Sequence, residues 1–476
     1  MPRRDALKFY IDGRWVDPAR PRSAEVINPA TELPCARVSL GSESDADRAV
    51  QAARRAFAGY SQTSRKQRIA LLARILEVYK RRWNDIADSI TAEIGAPVTL
   101  ARGSQTAAGF HHLSVTLAAL KTFRFEYKLG NSRILREPIG VCALITPWNW
   151  PLNQIAAKVA PALACGCTMV LKPSEIAPSN ATLFAEILDE AGVPPGVFNL
   201  VHGDGPGVGT ALASHSDVDF VSFTGSTQGG ISVAKAAADT VKRVTQELGG
   251  KSPNILLDDA DFETSVTRDV LTLMNNSGQS CNAPSRMLVP ASRLEQVQRI
   301  AAGAAASIVV GDPLSATTKM GPVVSERQWA RVQRYIADGV ASGCELVAGG
   351  PGKPDGLRTG FYVRPTIFAR VTPEMAIARD EIFGPVLAIL SYRDVDEAVD
   401  MANDSVYGLS SYVSSRSTRR AAAVARRLRA GDVHINGLWG NRPTPFGGYK
   451  QSGNGREGGA FGFEDFLETK AILGCS

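Results

Sequence analysis

The sequence predicts an α/β protein built around a parallel, doubly wound sheet, with a second α/β domain after it. From about residue 139 onward, short apolar runs alternate with stretches of helical character. The runs are "VCALIT", "TMVLKP", "VFNLVHG" and "VDFVSFTG", and the helix-like stretches lie near 152–164, 178–191, 206–214 and 228–238. This alternation is typical of β-α-β units, which form parallel sheets. Because 476 residues exceed one ordinary core, two or three domains are expected.

The same rhythm continues over roughly residues 251–445 and predicts the second α/β domain. Its strand-like runs are "NILLD", "RMLVP", "PTIF", "VLAILSY" and "VHING". Its helices are expected near 261–277, 292–306, 325–342, 394–402 and 417–428.

Residues 42–95, which precede the first sheet, predict two amphipathic helices. Ser64 and Gln67 form a capping box at the start of the second helix. Two strand-like segments lie outside both domains, a hairpin over 127–140 and a tail segment over 466–473. Strands of this kind often serve as edges that bind partner chains.

Composition and motif content exclude several classes of function. A hydrophobic share of 44% with 21% charged residues is typical of a soluble globular chain, and no stretch reaches the roughly 20 apolar residues of a membrane span. The basic N-terminus is followed by no apolar core, so a secretory signal is not expected. The cysteines form no C-x-x-C pair, so neither a disulfide framework nor a metal site is predicted. A reducing, cytoplasmic location is therefore expected.

An arginine-rich stretch, residues 416–429, is the most suggestive charged feature. Ala421 and Leu428 fall on one helical face, which leaves the arginines on the other. We interpret it as a solvated helix face rather than a nucleic-acid site, because no aromatic residue interleaves with the arginines. Neither a nucleic-acid partner nor a membrane partner is predicted.

Polar residues follow the predicted strands at the edge where doubly wound sheets bind ligands. Lys172, Ser174 and Glu175 come directly after an apolar run, where an ammonium and a carboxylate suit a ribose. Ser226 leads into a helix, either as its cap or beside a phosphate held by the helix N-terminus. The strict G-x-G-x-x-G fingerprint, the P-loop and the H-E-x-x-H zinc motif are absent from the sequence.

Two further residues have reactive side chains, but their position in the sequence alone does not assign them a role. Cys281 lies in "NNSGQSCNAPSR" (275–286), but a free cysteine is more often buried and inert than nucleophilic. Glu247 stands before two glycines in "QELGGKSPN", which predicts a tight loop. Considered alone, it would more often be a surface acid than a base.

Seven short motifs occur in order along the chain. They are "PWNWP" (147–151), "KPSE" (172–175), "FTGST" (223–227), "ELGGKSPN" (247–254), "GQSC" (278–281), "EIFGP" (381–385) and "PFGG" (445–448). Each is weak alone, but together they make the chain resemble the aldehyde dehydrogenase superfamily, from "FYIDGRWV" to "PFGGYKQSGNGREGG". The resemblance implies an NAD(P)-dependent, non-phosphorylating enzyme of the hydrolytic type.

The resemblance also implies a domain plan. A Rossmann-like NAD-binding domain is expected over 1–119 and 140–250, and a catalytic domain over 251–450. A small β oligomerisation element would combine 120–139 with 451–476. Homodimers or homotetramers are usual for such enzymes, and the sequence does not choose between them.

Three residues match the catalytic groups of the family. Cys281 matches the nucleophile, whose thiolate attacks the aldehyde to give a thiohemiacetal. The Asn149 side-chain amide and the Cys281 backbone N–H would form the oxyanion hole. Glu247 matches the base that activates water to hydrolyse the thioester. The activity implied is oxidation of a small-molecule aldehyde to its carboxylic acid with NAD.

The cofactor contacts follow from the same resemblance. Lys172 and Glu175 match residues that hold the adenosine ribose, Ser226 the pyrophosphate contact, and Glu381 and Phe383 the nicotinamide ribose and ring. The other implied contacts are Ile145, Pro147, Trp148, Ser174, Gly205, Gly209, Phe223, Gly225 and Leu248. A carboxylate at Glu175 accepts bonds from ribose hydroxyls and repels a 2′-phosphate, so NAD is expected and NADP is less favoured.

Some positions depart from the common family pattern. Ala157 stands where some relatives carry a large aromatic residue, which predicts a roomier tunnel for bulky or aromatic aldehydes. Pro284 stands where many relatives have a glycine. The residues expected to contact substrate are Trp150, Gln154, Ala157, Ser280, Asn282, Trp439 and Phe446.

Three other functions compete with aldehyde oxidation. In a CoA-acylating relative, CoA rather than water releases the acyl group, and Glu247 argues against it because such relatives generally lack the base. In a non-catalytic cofactor-binding or structural homologue, the loss of a catalytic group would be expected, yet Cys281, Asn149 and Glu247 are all present. Reductive use of the site is disfavoured because thioester hydrolysis is strongly downhill.

Overall fold

The structure, a computed structural model, describes residues 4–438 and 443–474 of the chain. Its strands are, in chain order, β1 (Phe9–Ile11), β2 (Arg14–Val16), β3 (Ser23–Asn28), β4 (Leu33–Ser39), β5 (Glu126–Leu129), β6 (Ser132–Pro138), β7 (Val141–Ile145), β8 (Thr168–Lys172), β9 (Phe198–Leu200), β10 (Phe220–Thr224), β11 (Arg243–Glu247), β12 (Pro253–Leu256), β13 (Arg286–Pro290), β14 (Glu345–Ala348), β15 (Thr366–Ala369), β16 (Val386–Tyr392), β17 (Ser410–Ser414), β18 (Asp432–Ile435), β19 (Gly453–Asn454) and β20 (Leu467–Ile472). Its α-helices are α1 (Glu43–Tyr60), α2 (Arg65–Arg81), α3 (Trp83–Ile94), α4 (Val98–Leu100), α5 (Thr106–Thr122), α6 (Pro151–Cys165), α7 (Pro178–Glu190), α8 (Thr210–Ser214), α9 (Thr227–Ala237), α10 (Phe262–Met274), α11 (Leu294–Ala306), α12 (Glu326–Ala341), α13 (Ala376–Arg379), α14 (Val395–Asn403) and α15 (Thr418–Ala425).

The first sheet has eight strands in the order β19-β11-β10-β7-β8-β9-β1-β2. Its strands from β11 to β9 are parallel, and antiparallel pairing adds β19 at one edge and β1 with β2 at the other. Strands β7, β8 and β10 are wholly buried, as expected where helices cover both faces. The chain runs from β7 to β8 and β9, then returns to the other side of β7. The predicted doubly wound sheet is confirmed, and this reversal creates a ligand crevice at the carboxyl ends of β7 and β10.

The second sheet has seven strands in the order β14-β15-β16-β13-β12-β17-β18. All of its pairs are parallel except that of β14 with β15. Helices α10 and α11 pack on it around an apolar cluster that includes Leu273, Val289 and Ile389. The predicted second α/β unit is confirmed.

The third sheet is small and antiparallel, in the order β20-β6-β5. The hairpin predicted over 127–140 is β5 with β6, and the tail strand β20 pairs along β6 from Leu467 opposite Pro138 to Ile472 opposite Arg133. Strands β3 and β4 form a separate antiparallel pair.

The structure departs from the predicted elements at several points, including the following two. The second helix predicted in 42–95 is divided at Arg82 into α2 and α3, although its predicted capping box at Ser64 and Gln67 is present. The apolar period continues across Arg82, so the pattern does not reveal the break. Strands β11, β14 and β17 were not predicted, because runs such as "RVTQE" lack the apolar continuity of the central strands.

Helix α6 runs through the interior between the small sheet and the crevice. All of its residues except Asn153 are buried, and Gly166 ends it in the left-handed conformation with φ of 91°. Its first turn follows directly on Asn149 and Trp150, so a rigid helix anchors that loop. In the described ranges, no helix is long and apolar enough to cross a membrane.

Candidate active site

The loop before Cys281 has an unusual backbone that is fixed by its neighbours. Asn276 and Ser277 are left-handed with φ of 51° and 56°, and Gly278 follows with φ of 73°. A Cβ at Gly278 would lie 2.1 Å from the Gly384 carbonyl oxygen, so only glycine fits this close approach. Left-handed backbone at non-glycine residues costs free energy and persists only where the surroundings impose it.

Side-chain amides hold the same loop. Asn149 Nδ2 donates to the Gln279 carbonyl oxygen at 3.0 Å, and Asn276 Nδ2 donates to the Asn149 carbonyl oxygen at 2.9 Å. Next to Cys281, the indole N–H of Trp150 donates to Ser280 Oγ at 2.8 Å. The structure therefore brings the predicted catalytic residue Asn149 against the loop that carries Cys281.

Cys281 is half-buried at the wall of a cavity. Burial raises the pKa of its thiol, and the charges of Glu381 and Glu247 raise it further. The thiol is therefore protonated at rest, and a nucleophilic thiolate requires removal of that proton. Cys281 also packs tightly at its backbone, because a Cβ at Gly250 would lie 2.4 Å from the Cys281 carbonyl oxygen.

Glu247 is the last residue of β11 rather than part of a loop, which corrects the prediction of a tight loop there. It is 5% exposed, and its Oε2 has no hydrogen-bond partner among the described residues. Burial raises its pKa well above the usual range, and the nearby charge of Glu457 adds to this, while Lys158 and Arg456 act in the opposite direction. A buried carboxyl with a raised pKa suits a general base that works near neutral pH.

The buried Lys158 and the half-buried Glu457 form an ion pair beside this base. Lys158 Nζ donates to Glu457 Oε1 at 2.7 Å and to Ser222 Oγ at 2.9 Å, and the lysine is 1% exposed. Glu457 also lines the cavity. The pair joins α6 to the C-terminal segment, a contact that sequence reasoning missed because 299 positions separate the partners.

The predicted ribose residues lie at the carboxyl end of β8. Lys172 Nζ donates to Glu175 Oε2 at 3.3 Å, and burial lowers the pKa of the lysine. Ser226 caps α9, because its hydroxyl accepts the Gly229 N–H at 3.1 Å. The sequence left Ser226 open between a cap and a phosphate contact, and the structure shows the cap. Ser174 Oγ accepts the Ile176 N–H in the same turn as Glu175.

The other predicted cofactor residues lie around the same crevice. Ile145, Phe223 and Leu248 belong to one buried cluster at the strand ends, and Gly225 packs on the Phe223 ring. Pro147 and Trp148 follow β7, whereas Gly205 and Gly209 bound a π-helical segment after β9.

Glu381 and Phe383 lie across the crevice on the second unit. Glu381 Oε1 accepts the Gly250 N–H at 3.0 Å, and burial raises the pKa of Glu381 to about 7. Phe383 is left-handed with φ of 60°, and its ring meets the Trp148 ring edge-on at 5.6 Å. The crevice is thus bordered by both sheets.

A cavity of about 1420 Å³ reaches Cys281. Five of the predicted substrate residues line it, namely Trp150, Gln154, Ser280, Asn282 and Phe446. Ala157 is buried within α6 and does not line the cavity, and Trp439 lies outside the described residues. Sequence reasoning missed His111, His112 and Asn153 on the cavity wall. A histidine pair on a helix gives no signal of its own, and only the packing of α5 on α6 places it here.

Comparisons with known proteins agree with this geometry. A model of the aldehyde dehydrogenase family matches residues 15–472. A 3-succinoylsemialdehyde-pyridine dehydrogenase from a Pseudomonas species is 59% identical over 472 residues, which cover 99% of each chain. Aldehyde dehydrogenase C from Pseudomonas syringae, solved as a mutant with NAD+ and octanal, is 55% identical with a TM-score of 0.98, over 99% of this chain and 97% of that one. Betaine aldehyde dehydrogenase from Staphylococcus aureus, solved with NAD+, is 36% identical with a TM-score of 0.94, over 98% and 94%. The chain therefore belongs to the aldehyde dehydrogenase family.

Proposed function

We propose that this protein oxidises an aldehyde to its carboxylic acid with NAD, through a thiohemiacetal and then a thioester on Cys281. The observation that carries the proposal is the arrangement of groups around Cys281. Asn149 holds the loop of Cys281, and the buried carboxyl of Glu247 lies near enough for its charge to act on the Cys281 thiol. These groups supply a nucleophile, an oxyanion donor and a base, which acyl chemistry on a thiol requires.

The residues at the sheet edge fit NAD. Glu175 is 39% exposed in its side chain while Lys172 is 5% exposed, so the pair offers an acceptor and a donor to a ribose. The hydroxyl of Ser226 accepts a bond from its own helix and keeps its hydrogen for a phosphate oxygen. Across the crevice, a Cβ at position 249 would lie 2.4 Å from Glu381 Oε2. Gly249 therefore leaves room for the Glu381 carboxylate. NAD+ bound there would accept the hydride of the aldehyde. The remaining atoms of one aldehyde and one water are then released as a carboxylate and two protons.

The chain's own residues carry out the remaining steps. The Cys281 sulfur gives its proton to solvent and attacks the carbonyl carbon, and Asn149 with the Cys281 backbone N–H stabilises the oxyanion that forms. Glu247 removes a proton from water, whose oxygen then attacks the thioester carbon and releases the Cys281 sulfur. Because burial and Glu457 raise the pKa of Glu247, its carboxylate accepts that proton more readily than an ordinary glutamate would.

We propose that the substrates include both aliphatic and heteroaromatic aldehydes. The relatives named above are described with octanal and with 3-succinoylsemialdehyde-pyridine. A cavity of about 1420 Å³ exceeds the usual few hundred to one thousand Å³ of small-molecule pockets, which supports bulky substrates.

The domain plan, oligomeric state and location belong to the proposal as well. We propose NAD-binding residues 1–119 and 140–250, catalytic residues 251–450, and an oligomerisation element from 120–139 and 451–476. The third sheet supports a homodimer or homotetramer, because β20 and β5 are open edges and Leu129 is 64% exposed. Free cysteines in the described part of the chain suit a reducing, cytoplasmic location.

The test is NADH formation from octanal and from a pyridyl keto-aldehyde, without CoA. Wild type is compared with Cys281→Ala and with the control Cys344→Ala, whose thiol is buried elsewhere in the second unit. Turnover by wild type and by the control, but not by Cys281→Ala, supports the proposal. Activity that requires CoA would favour acyl transfer to CoA, and NAD binding without turnover of any aldehyde would favour a non-catalytic protein.

A further inference from the structure

We propose that Tyr412 is a positioning residue for the nucleophile, because its hydroxyl holds the turn that carries Cys281 while the stacked ring of His434 holds Tyr412. The inference rests on the proposed function and deepens it, since it names a residue that makes the Cys281 thiol reactive. Neither Tyr412 nor His434 lies in any of the seven motifs that identify the catalytic residues. Both side chains line the cavity that reaches Cys281.

Cys281 lies in a turn that runs from Ser280 to Ala283. The Ala283 N–H closes this turn by donating to the Ser280 carbonyl oxygen at 3.1 Å, so Cys281 is one of its two central residues. The Tyr412 hydroxyl donates to the carbonyl oxygen of the other central residue, Asn282, at 2.8 Å. That carbonyl and the Ala283 N–H belong to one planar peptide group, so the group is held at both of its ends. Tyr412 therefore restrains the backbone of the turn itself.

The backbone of this turn bears directly on the Cys281 sulfur. Burial raises the pKa of the thiol most, and the charges of Glu381 and Glu247 raise it further. The backbone N–H groups of Asn282 and of Cys281 itself bond to the sulfur and lower that pKa, because they favour the thiolate. Such bonds weaken steeply when the N–H points away from its acceptor. Loosening the turn should therefore leave the thiol less ionised.

The strand register places His434 against Tyr412. Strands β17 and β18 pair in parallel with these two residues opposite each other, and their rings stack at 4.8 Å with 15° between the planes. His434 is itself fixed, because its Nδ1 lies 3.1 Å from the Leu438 carbonyl oxygen and its Nε2 lies 3.3 Å from Asp432 Oδ2. Both stacked side chains are buried. The phenol ring therefore cannot turn away from Asn282 without breaking the stack.

The surroundings of Tyr412 keep its hydroxyl a hydrogen-bond donor. Burial raises the pKa of the phenol well above its usual range, and the negative charges of Asp432, Asp269 and Cys281 raise it further. The hydroxyl therefore keeps its hydrogen for the Asn282 carbonyl at every pH at which the enzyme can be assayed.

A second anchor holds the other end of the turn. The Trp150 indole N–H, at the start of α6, donates to Ser280 Oγ at 2.8 Å. The turn is thus held by the first unit of the fold through Trp150 and by the second sheet through Tyr412. Because Trp150 remains in place, loss of the Tyr412 hydroxyl should loosen the turn without unfolding it.

Alkylation of Cys281 by iodoacetamide tests the proposal without any aldehyde. The reagent reacts with the thiolate, and mass spectrometry of the digested protein follows the peptide that contains Cys281. Tyr412→Phe keeps the ring and removes only the hydroxyl. We expect this variant to be alkylated at Cys281 about tenfold more slowly at a given pH, which corresponds to a rise of about one unit in the thiol pKa. Its kcat/KM for octanal should fall by a similar factor.

The matched control is Tyr392→Phe. Tyr392 is a buried tyrosine of β16 in the same sheet, and its hydroxyl donates to the Leu256 carbonyl oxygen at 2.7 Å. Removing this hydroxyl deletes the same kind of bond away from the turn of Cys281, so the alkylation rate should stay at the wild-type value.

Two variants of His434 test the role of the stack. His434→Ala removes the ring that packs on Tyr412, and it should slow the alkylation of Cys281 as Tyr412→Phe does. His434→Phe restores a ring and should recover most of the wild-type rate. Equal alkylation rates in the two His434 variants overturn the role of the stack.

Thiol reactivity separates this proposal from the proposed function. If Tyr412→Phe lowers the melting temperature but Cys281 is alkylated as fast as in wild type, or faster, the positioning role is overturned and Tyr412 only stabilises the fold. That result leaves aldehyde oxidation intact. Slower alkylation in Tyr412→Phe supports the positioning role even where wild type forms no NADH from any aldehyde, and the absence of NADH overturns the proposed function alone.

Discussion

The side-chain amide of Asn149 donates to the carbonyl oxygen of Gln279 at 3.0 Å, two residues before Cys281. Asn276 Nδ2 reaches the same carbonyl at 3.2 Å. An amide nitrogen carries two hydrogens, so Asn149 can hold Gln279 with one and donate the other to an oxyanion. One side chain therefore fixes the position of the nucleophile and can stabilise the charge that its attack creates.

Comparing a variant of Asn149 with a variant of Asn276 separates these two tasks. Asn149→Ala removes the oxyanion donor, and we expect kcat to fall by about 10²–10³. The matched control is Asn276→Gly, which keeps the left-handed backbone and removes the other amide that holds Gln279. It should lower the melting temperature with a smaller loss of kcat. Equal losses of kcat in the two variants would assign Asn149 to holding the loop alone.

Glu457 should control the pH at which Glu247 becomes active. Its charge is among the causes that raise the pKa of Glu247, and Lys158 opposes it. Glu457→Gln removes the repulsion and frees Lys158 to stabilise the Glu247 carboxylate, so both effects lower that pKa. Because the base works only when ionised, the acid limb of the kcat–pH profile should move to lower pH.

The control for this shift is Glu464→Gln, a neighbour whose side chain is 52% exposed and pairs with Arg136. The acid limb of the kcat–pH profile of Glu464→Gln should coincide with that of wild type. An acid limb that stays in place in Glu457→Gln, or moves to higher pH, would show that Glu457 does not act on Glu247 through charge.

Much of the fold could be predicted because parallel strands buried on both faces read as uninterrupted apolar runs. The sequence therefore predicted β7, β8 and β10, which are wholly buried. It did not predict β11, because the four residues before Glu247 in that strand are only half-buried and mostly polar. The catalytic residues were recognised through motifs. The Lys158–Glu457 and His112–Asn153 contacts were not, because each depends on how two distant or separately folded elements pack. Helix periodicity places a residue on a face, but it does not identify the partner on the facing element.

NAD affinity should depend on the ionisation of Glu381. Burial raises its pKa to about 7, and the Gly250 N–H bond opposes this. Above that pH both oxygens of the carboxylate accept bonds from a ribose, and the charge strengthens them, whereas below it one oxygen carries a hydrogen and the charge is lost. The KM for NAD should therefore rise as the pH falls through about 7. Glu381→Gln should show a higher KM that no longer changes with pH in this range, while the control Asp380→Asn should behave as wild type. An unchanged pH dependence in Glu381→Gln would show that another group titrates.

The choice between NAD and NADP should depend on Glu175. Its carboxylate is the negative group beside Lys172 at the end of β8, where a 2′-phosphate would bring further negative charge. Glu175→Gln keeps the length and an acceptor oxygen but removes the repulsion, and it releases the Lys172 ammonium to pair with the phosphate. Since like-charge contacts in a binding site cost several kcal/mol, the ratio of kcat/KM for NADP to that for NAD should rise by about tenfold or more.

The matched control is Glu186→Gln. Glu186 is a carboxylate on α7 that pairs with Arg82 at 2.8 Å. Steady-state kinetics with both cofactors provide the measurement, and a ratio that stays at the wild-type value in Glu175→Gln would place the selection elsewhere in the crevice.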